Sequence, residues 1–274
     1  MRHYHRSRKA RASTGGAAWV LAHRAAGFCQ THCSLTREVL IDPSNPAVLS
    51  TALGQLFPPG AVVCELRSLG DTRLLLPDEA AHLKRAVAKR AQEFAAGRLC
   101  ARQALAAFGI VDFAIKVASD RRPLWPSSVV GSITHTNGFC AAVVAERRHL
   151  AAIGMDSEEA QRVKPELWDS ICVPEEIAWL TSLPESERAA GAAFVFSAKE
   201  AFYKCQYPLT EQFLGFHAAR VQAREWGGAR GSFTVSATRD IKFAAHARLP
   251  IRGEYLFHEQ FVTAAVSLAA HSAA

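Results

Sequence analysis

The stretch Ala151-Ala152-Ile153-Gly154-Met155-Asp156-Ser157-Glu158 changes character half-way, from an apolar run to two acids separated by one serine. If Ala151–Met155 is a strand that continues into the acids, its period of two puts Asp156 and Glu158 on one face and turns Ser157 away. Two carboxylates side by side repel each other unless a cation lies between them. A solvated turn at a strand end would show the same D-x-E spacing, so spacing alone leaves both readings open.

Further on, Phe196-Ser197-Ala198-Lys199-Glu200-Ala201-Phe202-Tyr203-Lys204 reads as helix. Helical phase sets Glu200 within the arc of Phe196, Tyr203 and Tyr207, with Lys204 one turn on. A carboxylate on an aromatic face needs a partner to offset its burial. Three carboxylates with no histidine or cysteine among them suit a hard, oxygen-seeking ion, Mg2+ or Mn2+. The plain alternative is a surface Glu–Lys pair.

Before these acids, Phe139–Ala145 is nearly continuous apolar sequence ending in Glu146, Arg147 and Arg148, the pattern of a buried strand that emerges at a charged turn. Further strands are expected at Ala61–Leu66, Phe113–Val117 and Val129–Thr134, with a proline-containing loop over Asp120–Ser128. Pro77 and Asp78 open a helix expected to run to about Ala107, closed by Gly109, with Leu83, Val87, Phe94, Ala101 and Leu105 on one arc. Arg90 and Arg98 fall on or beside that arc, where they either snorkel at the edge of a core or grip an anion. Beyond the acids, helices are expected between Pro165 and Gln206, and strands near Phe216–Ala223, Gly231–Ala237, Asp240–Ala247 and Phe261–Ala269.

Helix followed by strands thus occurs twice. The fold class is α+β, with two pseudo-symmetric lobes that each pack a helix on a mainly antiparallel sheet. The expected boundaries are 1–36 for a basic flexible extension, 37–150 for the N-terminal lobe and 151–274 for the C-terminal lobe.

A third polar element, Gly131-Ser132-Ile133-Thr134-His135-Thr136-Asn137-Gly138, offers a histidine and hydroxyls between glycines, donors suited to phosphate or to a structural turn. Arg121 and Arg122 precede Pro123 upstream and add positive charge.

Composition limits the remaining classes. With 49% hydrophobic and 21% charged residues, the chain is an ordinary folded protein. No run of about 18 uncharged apolar residues occurs, so no membrane-spanning helix is expected. The net charge of +7 favours polyanionic ligands or acidic partners in general. No CCHH spacing, RNP-like strand or GXXG clamp accompanies it, which argues against a nucleic-acid binding module. Seven cysteines without a CxxC pair read as reduced thiols in a cytoplasmic protein.

Four stretches, taken in order, resemble the 4'-phosphopantetheinyl transferase superfamily in its two-lobed form. Glu93–Arg102 is similar to an "F-L-A-G-R" helix, Gly131–His135 to "S-[IV]-[ST]-H", Ile153–Glu158 to "[IV]-G-[IV]-D-x-E", and Phe196–Lys204 to "F-[SA]-x-K-E-[SA]-x-[YF]-K". The resemblance implies transfer of the 4'-phosphopantetheine arm of coenzyme A to a serine of an apo acyl, aryl or peptidyl carrier protein, with release of 3',5'-ADP. It also implies that Asp156, Glu158 and Glu200 hold the metal, that Glu200 deprotonates the serine and that Lys204 stabilises phosphate charge. Thr134, His135 and Arg122 then meet the coenzyme phosphates, and Arg90 or Arg98 lies near the nucleotide. Two lobes in one chain make a monomer sufficient. The competing expectations are a nonenzymatic basic binding module and a metal-dependent phosphohydrolase.

Overall fold

The computed structural model describes residues 44–83 and 86–270; the basic segment 1–36 lies outside them. In chain order the elements are β1 (Val48–Leu49), α1 (Thr51–Gly54), β2 (Val62–Leu66), α2 (Pro77–Ala80), α3 (Ala88–Ala106), β3 (Val129–Thr136), β4 (Phe139–Glu146) and β5 (Leu150–Glu159). There follow α4 (Trp168–Ile171), α5 (Pro174–Ser182), α6 (Glu185–Thr210), β6 (Ala219–Ala223), β7 (Arg230–Ala237), β8 (Ile251–His258) and β9 (Phe261–Ala269). All strand pairs are antiparallel, in a four-stranded sheet ordered β1-β2-β4-β3 and a five-stranded sheet ordered β5-β9-β8-β7-β6. The α+β class follows directly.

The apolar run of β4 is explained by burial on both sides. Cys140, Ala142 and Val144 join the core under α3, whereas Phe139, Ala141, Val143 and Ala145 join a second core that also takes Ile153 and Met155 of β5 and Phe261 and Ala265 of β9. The five-stranded sheet turns its other side to α6, where Phe194 and Phe202 pack with Phe233 and Tyr255. A strand covered on both faces has no polar side to show, so alternation disappears.

Four expectations need correction. The helix expected from Pro77 to Ala107 is two helices, α2 and α3, and Val87 caps α3 at 74% exposure instead of lying in the core. The reason is Glu79, whose carboxylate accepts from Arg102 Nη1 of α3 at 2.9 Å. In one straight helix these residues would stand roughly 35 Å apart.

Phe113–Val117 forms no strand, because Glu79 Oε1 takes the Ile115 N–H and Arg98 Nε donates to the Ile115 carbonyl, leaving only an isolated bridge between Val117 and Pro123. Residues Phe216–Ala218 make a 3-10 turn before β6. The strand expected at Asp240–Ala247 is replaced by a 3-10 turn over Lys242–Ala245, and the pairing strand is β8. In β8, Gly253 lies under the Phe233 ring, where a Cβ would come within 2.2 Å of ring carbon, so the strand's alternating large residues are interrupted at that point.

Candidate functional site

Gly154 sets the geometry. A Cβ on it would meet the Ala201 carbonyl oxygen at 1.9 Å and the Cys205 nitrogen at 2.7 Å, both backbone atoms of α6. Strand and helix therefore touch main chain to main chain, which only glycine permits. Two residues on and on the same face, Asp156 meets α6: its carbonyl accepts from Ser197 Oγ at 2.7 Å and its Oδ1 from Lys204 Nζ at 2.6 Å. Glu200 sits between Ser197 and Lys204 on the helix. Burial raises the proton affinity of Glu200, Lys204 opposes the rise, and the charge of Asp156 adds to it. The carboxylates of Asp156 and Glu200 thus sense one another.

Glu158 is buried two residues further along β5, with Oε1 accepting from Thr136 Oγ1 at 3.0 Å, from the Glu159 N–H at 2.9 Å and from Arg162 Nη1 at 3.3 Å. Thr134 Oγ1 donates to Asp156 Oδ1 at 3.2 Å and accepts from the Ser157 N–H at 2.9 Å. Ser132 Oγ exchanges bonds with the Met155 carbonyl and N–H at 3.4 and 3.1 Å. β3 and β5 are edge strands of different sheets, so these hydroxyls stand where a backbone ladder would otherwise run.

The opposite face of β3 carries the histidine. His135 Nε2 contacts Arg90 Nη1, and burial followed by the Arg90 charge holds its imidazole below the usual histidine range. Arg90 also reaches Glu93 at 3.4 Å. Arg98 points inward to Ile115, stacks over Phe94 at 4.1 Å and is pushed down to about 10 by burial. It remains a cation at neutral pH. Arg122 bridges Asp120 at 3.3 Å and Glu211, just past α6, at 3.0 Å. The structure thus joins Asp156 to Lys204 and Thr134 with Glu200 in range of their charges, binds Glu158 to Thr136 and Arg162, places His135 with Arg90 on the other face of β3, and gives Arg98 and Arg122 partners of their own.

A cavity of about 150 Å3 opens beside Glu200, walled by Phe202, Tyr203, Phe213, Leu214 and Phe216. Sequence reasoning missed Thr136, Ser197, Arg162 and this wall. For Thr136 a signal was present, since Ser132, Thr134 and Thr136 repeat a hydroxyl at strand period.

The family profile for the 4'-phosphopantetheinyl transferase N-terminal domain matches residues 78–145, and the 4'-phosphopantetheinyl transferase superfamily profile matches 152–265. The 4'-phosphopantetheinyl transferase Npt of Nocardia iowensis is 30% identical over 220 residues, 78% of this chain and 98% of that protein. The chain belongs to the 4'-phosphopantetheinyl transferase superfamily. Two further transferases agree: Svp of Streptomyces mobaraensis, 35% identical over 72% of this chain and 80% of its own, and PptT of Mycobacterium tuberculosis, 38% identical over 53% and 64%. This transferase moves the phosphopantetheine arm of coenzyme A to carrier proteins, the activity of its superfamily. No helix among the described residues is long and apolar enough to cross a membrane.

A divalent ion must be tested against the donors the transferase presents. Among the described residues no group of three or more His, Cys, Asp or Glu side chains is arranged to hold a metal ion, and Lys204 holds the Asp156 oxygen. The donor chemistry fits a hard ion all the same. Among the described residues, every side-chain hydrogen bond to the Asp156 carboxylate ends on Oδ1 and every one to the Glu158 carboxylate on Oε1. The donors on offer, the second oxygens of Asp156 and Glu158 and the half-buried Glu200, are all carboxylate, the chemistry such an ion prefers.

Proposed function

We propose that the transferase attaches the arm to a serine hydroxyl of an apo acyl, aryl or peptidyl carrier protein, with Asp156, Glu158, Glu200 and Lys204 at the reacting groups. One observation carries the reading: across the close Gly154 contact, the Asp156 carboxylate of β5 bonds Lys204 of α6 and its charge acts on Glu200 of the same helix. The serine oxygen bonds to the phosphorus next to the pantetheine oxygen as that phosphorus releases the bridging oxygen, and 3',5'-ADP departs with the electron pair. Glu200 accepts the serine proton, directly or through water, and burial supports this by raising its affinity for one.

Lys204 sets a positive charge beside Asp156 where charge gathers on the transferring group. When bound, Mg2+ or Mn2+ on Asp156, Glu158 and Glu200 supplies Lewis-acid compensation of the pyrophosphate charge. Thr134, His135 and Arg122 furnish donors to the coenzyme phosphates, and Arg90 or Arg98 lies near the nucleotide. The apolar wall near Glu200 keeps bulk water from competing with the serine. We place the enzyme in the cytoplasm as a monomer of two lobes, 37–150 and 151–274, acting on acidic carriers that its +7 charge would attract.

Release of 3',5'-ADP from coenzyme A and an apo carrier at saturating Mg2+ checks the assignment. Asp156→Ala and Glu200→Gln should each lower turnover at least roughly 100-fold while the fold is kept. Near-normal turnover in both rules the site out, and carrier-independent cleavage of coenzyme A would mark a phosphohydrolase instead.

A further inference from the structure

The β3–β5 seam does more than join two sheets. Ser132, Thr134 and Thr136 are 4%, 2% and 7% exposed and lie two residues apart, so all three hydroxyls face one edge of β5. They divide the work. Ser132 binds only main chain, at Met155. Thr134 binds main chain at Ser157 and a carboxylate at Asp156. Thr136 binds only a carboxylate, at Glu158. The role thus passes from seam to site along the strand.

At the site the bonds are one-sided. Thr136, the Glu159 N–H and Arg162 all end on Glu158 Oε1, and Thr134 and Lys204 both end on Asp156 Oδ1. A carboxylate that could rotate about its last torsion is held by one oxygen, and the other is thereby aimed. Of the three donors to Oε1, Arg162 is 59% exposed and on a side chain with many rotamers, and Glu159 belongs to the strand itself. Thr136 is the buried donor that comes from the other sheet. We propose that Thr136 is a positioning residue for the proposed ion site: by holding Oε1 it directs Oε2 of Glu158 to the cation, and it ties that aim to the strand that carries His135.

The inference rests on the reading of Asp156, Glu158 and Glu200 as the ion-binding set, and the experiment separates the two. Binding of Mn2+ to the full-length protein with coenzyme A present, and no carrier, is measured by electron paramagnetic resonance for Thr136→Val, Thr136→Ala, Thr136→Ser, Ser132→Ala and Glu158→Gln. Loss of an outer partner of a metal ligand typically weakens the metal by roughly 10-fold or more, so Thr136→Val and Thr136→Ala should do so and Thr136→Ser should recover most of it. Ser132→Ala should lower thermal stability yet leave Mn2+ affinity unchanged, because its bonds reach only main chain. Glu158→Gln should weaken Mn2+ at least as much as Thr136→Val.

If both Thr136 variants bind Mn2+ like the wild type while Glu158→Gln does not, the positioning role is overturned and the ion site stands. An equal loss in Ser132→Ala also overturns it, since general loosening of the seam would then suffice. If Glu158→Gln itself binds normally, the ion-site reading fails and the role of Thr136 fails with it.

Discussion

Leu76-Pro77-Asp78-Glu79 and Val173-Pro174-Glu175-Glu176 build the same device in the two halves of the molecule. In each, proline opens a short helix and the glutamate three places after the cap turns back to the cap N–H, at 3.0 Å for Glu79 and 2.8 Å for Glu176. Each glutamate then takes a distant backbone N–H, Ile115 at 3.1 Å or Val221 at 2.6 Å, and a cation from the long helix, Arg102 at 2.9 Å or Lys199 at 2.6 Å. The halves differ in wetness. Arg102 is 17% exposed and also donates to the Leu74 carbonyl, whereas Lys199 is 2% exposed and donates to the carbonyls of Ile171 and Phe216.

That difference teaches where rigidity has been concentrated. Lys199 precedes Glu200 and ties α6 to Phe216, which walls the cavity beside Glu200. The drier knot lies under the reacting groups, and the wetter one lies under a loop. Close glycine packing is shared and not contrasted, since a Cβ would meet helix backbone at 1.9 Å on Gly154 and at 2.1 Å on Gly70, which lies against Ala96 of α3.

Breaking the knots one at a time puts the comparison at risk. Lys199→Met leaves the buried Glu176 carboxylate without its cation and should cost about 3–5 kcal/mol in urea unfolding. Arg102→Met removes a cation that is itself partly exposed and should cost less, about 2 kcal/mol. Equal losses would mean that burial does not separate the two devices.

A smaller effect compares one histidine from each sheet. His135 and His258 are both held below the usual histidine range, first by burial and then by an arginine, Arg90 or Arg67. Since the unfolded chain takes up protons at about pH 6.5 and the folded one resists, stability should fall as pH drops below that value. His135→Gln and His258→Gln should each flatten part of the fall below about pH 6.5. An unchanged slope in both variants would show that neither histidine is held low.

The acids were legible because strand phase at Asp156 and Glu158 and helix phase at Glu200 depend on local periodicity alone. Lys199 was not legible in the same way: α6 is buried on more than one side, and periodicity cannot show that a lysine off the aromatic arc turns into a second interior. The repeated X-Pro-x-Glu device was present as letters, yet its meaning lies in partners 23 residues or more away, Arg102 being 23 from Glu79. Ile115 escaped for a related reason, as its backbone is satisfied by Glu79 and Arg98 side chains instead of by a neighbouring strand. Gly154 was quoted as part of a motif, but its reason, contact with main chain of α6, appears only when strand and helix are laid together.

Titration of the full-length transferase with Mn2+ in the presence of coenzyme A, for the wild type and Glu200→Gln, tests the shared carboxylate site most directly. One tightly bound ion per chain is expected in the wild type and at least a roughly 10-fold weaker ion in the variant. Identical binding in the two proteins would contradict it, because the helix carboxylate would then have no part in holding the ion.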